Sequence, residues 1–158
     1  MIDHEKLMRA AIDICIEGIG RGQSPFAAVI ATTGGHVVHA AYNTVRLNCD
    51  PTAHAEVNAI RGACHRLGII DLSNHVIAAT CEPCPMCAAA IHWAGIDTLL
   101  YGATIADAQD AGFNELSFSC RTLYATGQSR VTIHDGVLAT ECKSLFRRWH
   151  TGPNPTPY

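Results

Sequence analysis

Two short stretches constrain the fold of this chain more than any others: Pro51-Thr-Ala-His54-Ala-Glu56 and Cys81-Glu-Pro-Cys84-Pro-Met-Cys87-Ala-Ala-Ala-Ile-His-Trp93. Together they supply one imidazole, two thiols at metal spacing and a carboxylate two residues from the imidazole. Zinc prefers such nitrogen and sulfur ligands, arranged as a tetrahedron. Cys84 and Cys87 are three apart, so on a helix they share a face. Pro85 suits the first position of a helix, where no amide hydrogen is needed. Both sulfurs then lie near the positive end of the helix, which favours thiolates. Thr52 is a plausible helix cap, and an apolar helical pattern continues through Val57, Ile60, Ala63, Cys64 and Leu67. Two helix N-termini are therefore expected to point at one metal. Spacing leaves open how His54 and Glu56 both reach it, since residues two apart diverge on a helix.

Three protein ligands leave a fourth position for water, the mark of a catalytic zinc. Two thiolates already offset the charge of the dication, so a carboxylate that moves protons gains importance, and Glu56 fits that role. A closed structural site is the alternative, with Cys81 as a fourth ligand. The cysteines also read as small buried residues with no metal at all.

The length of 158 residues favours one domain with a substantial core. A net charge of −3 gives no electrostatic footprint for nucleic acid. The opening Met-Ile-Asp-His-Glu-Lys has no apolar core of a leader peptide, and no apolar run is long enough to span a bilayer. Eight cysteines then read better as reduced thiols and metal ligands than as a disulfide framework. A cytoplasmic home is expected, with a small-molecule substrate and no membrane partner.

Taken in order, residues 3–20 have helical spacing, ended by Gly18, Gly20 and Gly22. Phe26 to Ala31 and Val37 to Tyr42 form a β-hairpin around Thr33-Gly34-Gly35. Asn43 closes the second strand; it reads as a turn former, or as a side chain able to contact a base edge. A polar loop from Thr44 to Pro51 precedes a helix from Thr52 to Leu67. The strand His75 to Thr80 feeds the cysteine loop and a helix from Pro85 to Trp93. A strand from Thr98 to Tyr101 and a short helix from Ile105 to Ala111 follow. Leu116 to Tyr124 is loosely helical, Val131 to His134 is a fifth strand, and Ala139 to Trp149 is the last helix. This alternation predicts an α/β layered sheet with parallel members, its metal loop at the C-terminal end of a strand. Residues 1–150 form one domain, and 151–158 a proline-rich tail that composition allows to be loose.

The pairing of His-x-Glu with Pro-Cys-x-x-Cys is the signature of the zinc deaminases. On Pro-Phe26, Asn43, His54-Ala-Glu56 and Glu82-Pro-Cys84-Pro-Met-Cys87, the chain resembles the cytidine deaminase-like superfamily. Asp50-Pro-Thr-Ala-His54-Ala-Glu56, Ile91-His-Trp93-Ala, Ala111-Gly-Phe113 and the final Tyr158 make it similar to small bacterial guanine deaminases. The resemblance implies a three-layer α/β/α sandwich with a five-stranded mixed sheet. It implies zinc held by His54, Cys84 and Cys87, and Glu56 as the proton shuttle. It implies Phe26 and His54 as stacking faces, Asn43 as a base contact and Trp93 as a pocket wall. Glu115 stands where guanine deaminases usually carry Asp, and is implied to handle the departing amine; a solvated loop carboxylate is its other reading. Tyr158 is implied to close over the active site as a lid, in some relatives by exchange between subunits, and a homodimer is implied as well.

The expected activity is hydrolytic deamination of a free aminopurine, guanine to xanthine and ammonia. Rival expectations are a nucleoside or aminotriazine deaminase, a tRNA adenosine deaminase, and a non-catalytic zinc-binding interaction domain. Glu56 beside His54 weighs against the last, since a structural metal has no use for a proton carrier.

Overall fold

The computed structural model describes residues 2–158. Its centre is a five-stranded mixed sheet in the order β2-β1-β3-β4-β5. β1 (Ala27–Thr32) runs antiparallel to β2 (Val37–Tyr42) and to β3 (His75–Cys81). β4 (Thr98–Ala103) is parallel to β3, and β5 (Thr132–His134) is parallel to β4. β1 therefore runs opposite to the other four strands.

The side-chain alternation along the strands explains the layers. Val29 and Ala31, Val76 and Ala78, and Leu100 face one side, packing on α1 (His4–Gly20) and α7 (Ala139–His150) through Met8, Ala11, Cys15, Leu145 and Trp149. Ala28 and Ile30, Ile77 and Ala79, and Leu99 face the other. There they pack on α3 (Ala55–Leu67), α4 (Pro85–Trp93) and α6 (Cys120–Thr126), through Ala59, Ala63, Ala88, Ile91 and Tyr124. The expected three-layer α/β/α sandwich is the observed architecture. Gly62 lets α3 lie close over β2: a Cβ there would overlap the His39 ring.

Several boundaries differ from the sequence expectations, each for a local reason. Thr52 does not cap the long helix. Its amide and hydroxyl both donate to Asp50 Oδ1, at 2.8 and 2.7 Å, closing an Asx-turn instead. The helix begins two residues later, with His54 in the capping position. The loop after Asn43 contains a single turn of helix, α2 (Val45–Asn48), whose Leu47 amide donates to Gln23 Oε1. The segment expected to be helical from Leu116 starts only at Cys120, where Ser119 accepts from the Thr122 amide. α5 (Ile105–Asp110) opens on a full capping box built from Thr104 and Asp107.

Among the described residues, no helix is long and apolar enough to cross a membrane. The tail from Thr151 has no regular element but is docked. Arg46 donates to the Thr156 carbonyl from Nε and Nη2, at 3.2 and 2.8 Å. The Asn114 amide donates to the Tyr158 backbone oxygen at 3.1 Å.

Candidate metal centre

The metal side chains sit where two helices begin. β3 ends at Cys81, and the chain turns into α4 with Cys84 as its cap, Pro85 at the first position and Cys87 in the first turn. His54 caps α3 with an extended backbone, φ −65° and ψ 155°. That conformation resolves the spacing problem. His54 lies outside the helix while Glu56 lies within its first turn, so the rule that residues two apart diverge does not apply between them. Asn58 fixes the approach: its side-chain amide donates to the carbonyls of Tyr42 and Ala53 and to Thr44 Oγ1. The sequence reading missed this anchor, because an Asn one turn into a helix carries no signal of its distant partners.

The geometry fits a metal. The candidate ligand atoms of His54, Cys84 and Cys87 all lie within 4.8 Å of one another. His54 Nδ1 is 3.6 Å from Cys84 Sγ and 3.6 Å from Cys87 Sγ. A tetrahedral zinc with its usual bond lengths to nitrogen and sulfur requires a separation of roughly 3.6 Å. Cys81 is not part of the group; its thiol donates to the Thr104 carbonyl at 3.4 Å. Among the described residues the cluster therefore has three ligands, which disfavours the closed alternative.

The electrostatics match that donor set. A hydrogen bond from Cys87, with help from His54, lowers the Cys84 thiol to about 4. Cys87, the donor to that thiolate, is raised well above the usual thiol range. Burial opposes protonation of His54, but the bond to Cys84 and the charge of Glu56 outweigh it and raise its pKa. Glu56 is 8% exposed, and burial followed by the Cys84 charge pushes it up to about 7. A carboxylate tuned near neutrality beside a metal position is suited to taking and returning protons.

A pocket opens beside the cluster, with Phe26, Asn43, His54, Glu56, Cys84, Glu115 and Tyr158 in its wall. Cys87 lies buried among the metal side chains. Trp93 does not belong to the wall: it stands 82% exposed at the C-terminal end of α4. The helical phase that turns Cys87 and Ile91 inward directs Trp93 outward, so the expected pocket-wall contact is absent within this chain. Asn43 is a turn former, and its side-chain NH2 group is engaged within the chain. Its Oδ1 accepts from the Val45 amide as a turn former does, while its Nδ2 donates to the Tyr158 hydroxyl at 2.6 Å. Burial, followed by the charge of Cys84, raises the pKa of Glu115. Phe113 joins the site from behind, its ring 4.8 Å from Phe26 and 5.7 Å from Tyr158 between centroids. Thr80 and Glu82, not singled out from the sequence, also line the pocket. Their position at the end of β3, beside the cysteine loop, was the available signal.

A mixed α/β/α sheet whose strand end presents a His-Cys-Cys cluster beside a buried Glu defines a class, the metal-dependent hydrolytic deaminases. The family described as the cytidine and deoxycytidylate deaminase zinc-binding region matches residues 1–103. A guanine deaminase of Bacillus subtilis is 37% identical over 158 residues, covering 99% of this chain and 100% of the relative. A tRNA-specific adenosine deaminase of Haemophilus influenzae is 31% identical over 138 residues, covering 87% and 78%. The solved guanine deaminase of Nitrosomonas europaea superposes with a TM-score of 0.86 at 24% identity, over 96% of this chain and 86% of that one, a likeness of fold. The chain belongs to this zinc-binding deaminase family, and its activity is that of a zinc-dependent aminohydrolase.

Proposed function

We propose that the chain deaminates a free aminopurine, converting guanine and water to xanthine and ammonia. The full-length likeness to a guanine deaminase supports the substrate. The observation that carries the chemistry is the cluster with 3.6 Å nitrogen–sulfur separations beside a buried Glu56. His54, Cys84 and Cys87 would hold zinc, which would supply the Lewis acidity that makes water a nucleophile at neutral pH. Glu56 accepts the proton released by the attacking water and passes it to a ring nitrogen; it then takes the proton of the hydroxyl now on the ring carbon, as the carbonyl forms, and delivers it to the amine, which leaves as ammonia. Phe26 and the His54 ring hold the purine between them, and Asn43 contacts its edge. Glu115 accepts a hydrogen bond from the departing amine.

Tyr158 and the tail form a lid. Beneath the docked tail the cavity is about 20 Å3. That is room for one water but not for a fused bicyclic base. The tail therefore swings away to admit the substrate and returns, releasing Asn43 from the Tyr158 hydroxyl for contact with the base. We propose a homodimer as well, with exposed Trp93 covered by a second copy. Sedimentation equilibrium tests this, a monomer at micromolar concentration being the contrary result. All eight cysteines are unpaired, which supports a cytoplasmic location.

Ammonia release from guanine, guanosine, adenine, cytosine and an anticodon stem-loop RNA tests the substrate. Guanine should give the highest kcat/KM. Preference for a nucleoside, for cytosine or for the RNA adenosine would overturn the assignment while leaving the metal chemistry in place.

A further inference from the structure

Glu82 is the one acidic side chain in the pocket wall to which the reaction above gives no task. It lies between Cys81 and Cys84, and its amide donates to the Ala103 carbonyl at the end of β4, at 2.8 Å. Its carboxylate reaches further. Oε1 accepts from the Cys120 amide at 3.1 Å, and Oε2 accepts from the Ile105 amide at 3.4 Å. Ile105 and Cys120 are the first residues of α5 and α6. The first N–H groups of a helix have no partner within it. Thr104 and Ser119 take the amides of Asp107 and Thr122, and Glu82 takes two that these caps leave. One carboxylate thus fixes both ends of the segment from 105 to 120. That segment carries Phe113, packed between Phe26 and Tyr158, and Glu115 in the pocket wall.

The geometry points to Glu82 as a positioning residue, a two-pronged anchor that ties the Glu115 loop to the loop bearing the metal thiols. This rests on the role proposed for Glu115. Each of the two N–H donors has its own acceptor oxygen on Glu82. A Gln offers one acceptor and turns an NH2 group toward the other donor, so Glu82→Gln breaks one prong with almost no change of shape. The Ala103 contact comes from the backbone and survives the substitution, so the thiols keep their place while the Glu115 loop loosens.

A double-mutant cycle between Glu82→Gln and Glu115→Gln tests the claim, with kcat, KM, zinc content and the visible spectrum of the cobalt-substituted enzyme as readouts. Glu82→Gln should keep one zinc per chain and the wild-type cobalt–thiolate spectrum, and lose kcat by roughly ten- to a hundredfold through misplacement of Glu115. In the Glu115→Gln background the same change should cost less than about twofold. An equal factor in both backgrounds overturns the positioning role. A Glu115→Gln enzyme with wild-type kcat removes the premise, and is distinguishable from that failure. Cys120→Pro provides an independent route. It deletes the N–H that Oε1 accepts, proline suits the first helical position, and Ser119 already has the extended backbone required before proline, at φ −70° and ψ 147°. It should reproduce the non-additive loss of kcat. Zinc loss from Glu82→Gln together with wild-type kcat in Cys120→Pro contradicts the proposal.

Discussion

His54 owes its position to standing at the threshold of a helix. Its extended backbone and the Asn58 anchor aim Nδ1 at two sulfurs, while Glu56, in the first turn, is carried to the same spot. The residue types and their spacing were readable from the chain. The role of Cys81 was not, because only the fold shows its thiol turned to the Thr104 carbonyl. Cys81→Ser should retain zinc, whereas Cys84→Ser should lose most of it; atomic absorption on the purified variants decides, and metal loss from Cys81→Ser would restore the four-ligand alternative. Glu56 supports a pH prediction. Burial raises it from an ordinary value of 4.5 to about 7, so the folded chain holds this proton more tightly than the unfolded chain. The stability that depends on neutral Glu56 is intact below about pH 4.5 and is lost as pH rises to about 7, at up to about 1.4 kcal/mol per pH unit. Gln cannot ionise, and the facing groups His54, Cys84 and Cys87 are common to both proteins. In metal-free protein, the urea stability of Glu56→Gln relative to wild type should therefore grow from pH 5 to pH 8. A pH-independent difference would place Glu56 in a more solvated setting.

At the scale of elements, the long periodic segments were legible, and so were the short α5 and β5, whereas α2 and the start of α6 were not. β1, β3 and the helices at 4–20, 55–67 and 85–93 announce themselves by repeated apolar positions. α2 has four residues, too few for a pattern to separate it from loop. α6 starts late because its first turn is held by Ser119 and by Glu82, the latter 38 residues away. The tail shows the same limit most clearly. Its composition suggested a loose strap, yet it is pinned by Arg46, 110 residues upstream, and by the Asn114 amide. Arg46→Ala removes two charge-assisted hydrogen bonds to the Thr156 carbonyl. Carboxypeptidase should then release Tyr158 several-fold faster than from the wild type, roughly the effect of losing about 1 kcal/mol of docking. Equal rates would mean that the tail is held from elsewhere.

Over the whole molecule, the metal site is an addition to a fold that packs without it. Two apolar layers, one on each face of the sheet, bury Trp149, Met8 and Leu100 on one side and Ile30, Ile77 and Leu99 on the other. None of these is a ligand. Zinc stabilises by binding the folded state alone, so chelation should lower Tm while the far-UV circular dichroism at 25 °C persists, and added zinc should restore Tm. Collapse of the dichroism on chelation would show that the sheet needs the ion. The central claim is narrower: three side chains hold the metal and one buried carboxylate moves the protons. Its most direct test is zinc content measured beside ammonia release from guanine in Glu56→Gln. One zinc per chain with turnover reduced by at least about a thousandfold is the predicted result. Near-normal turnover, or a variant and wild type that both lack zinc, would contradict it.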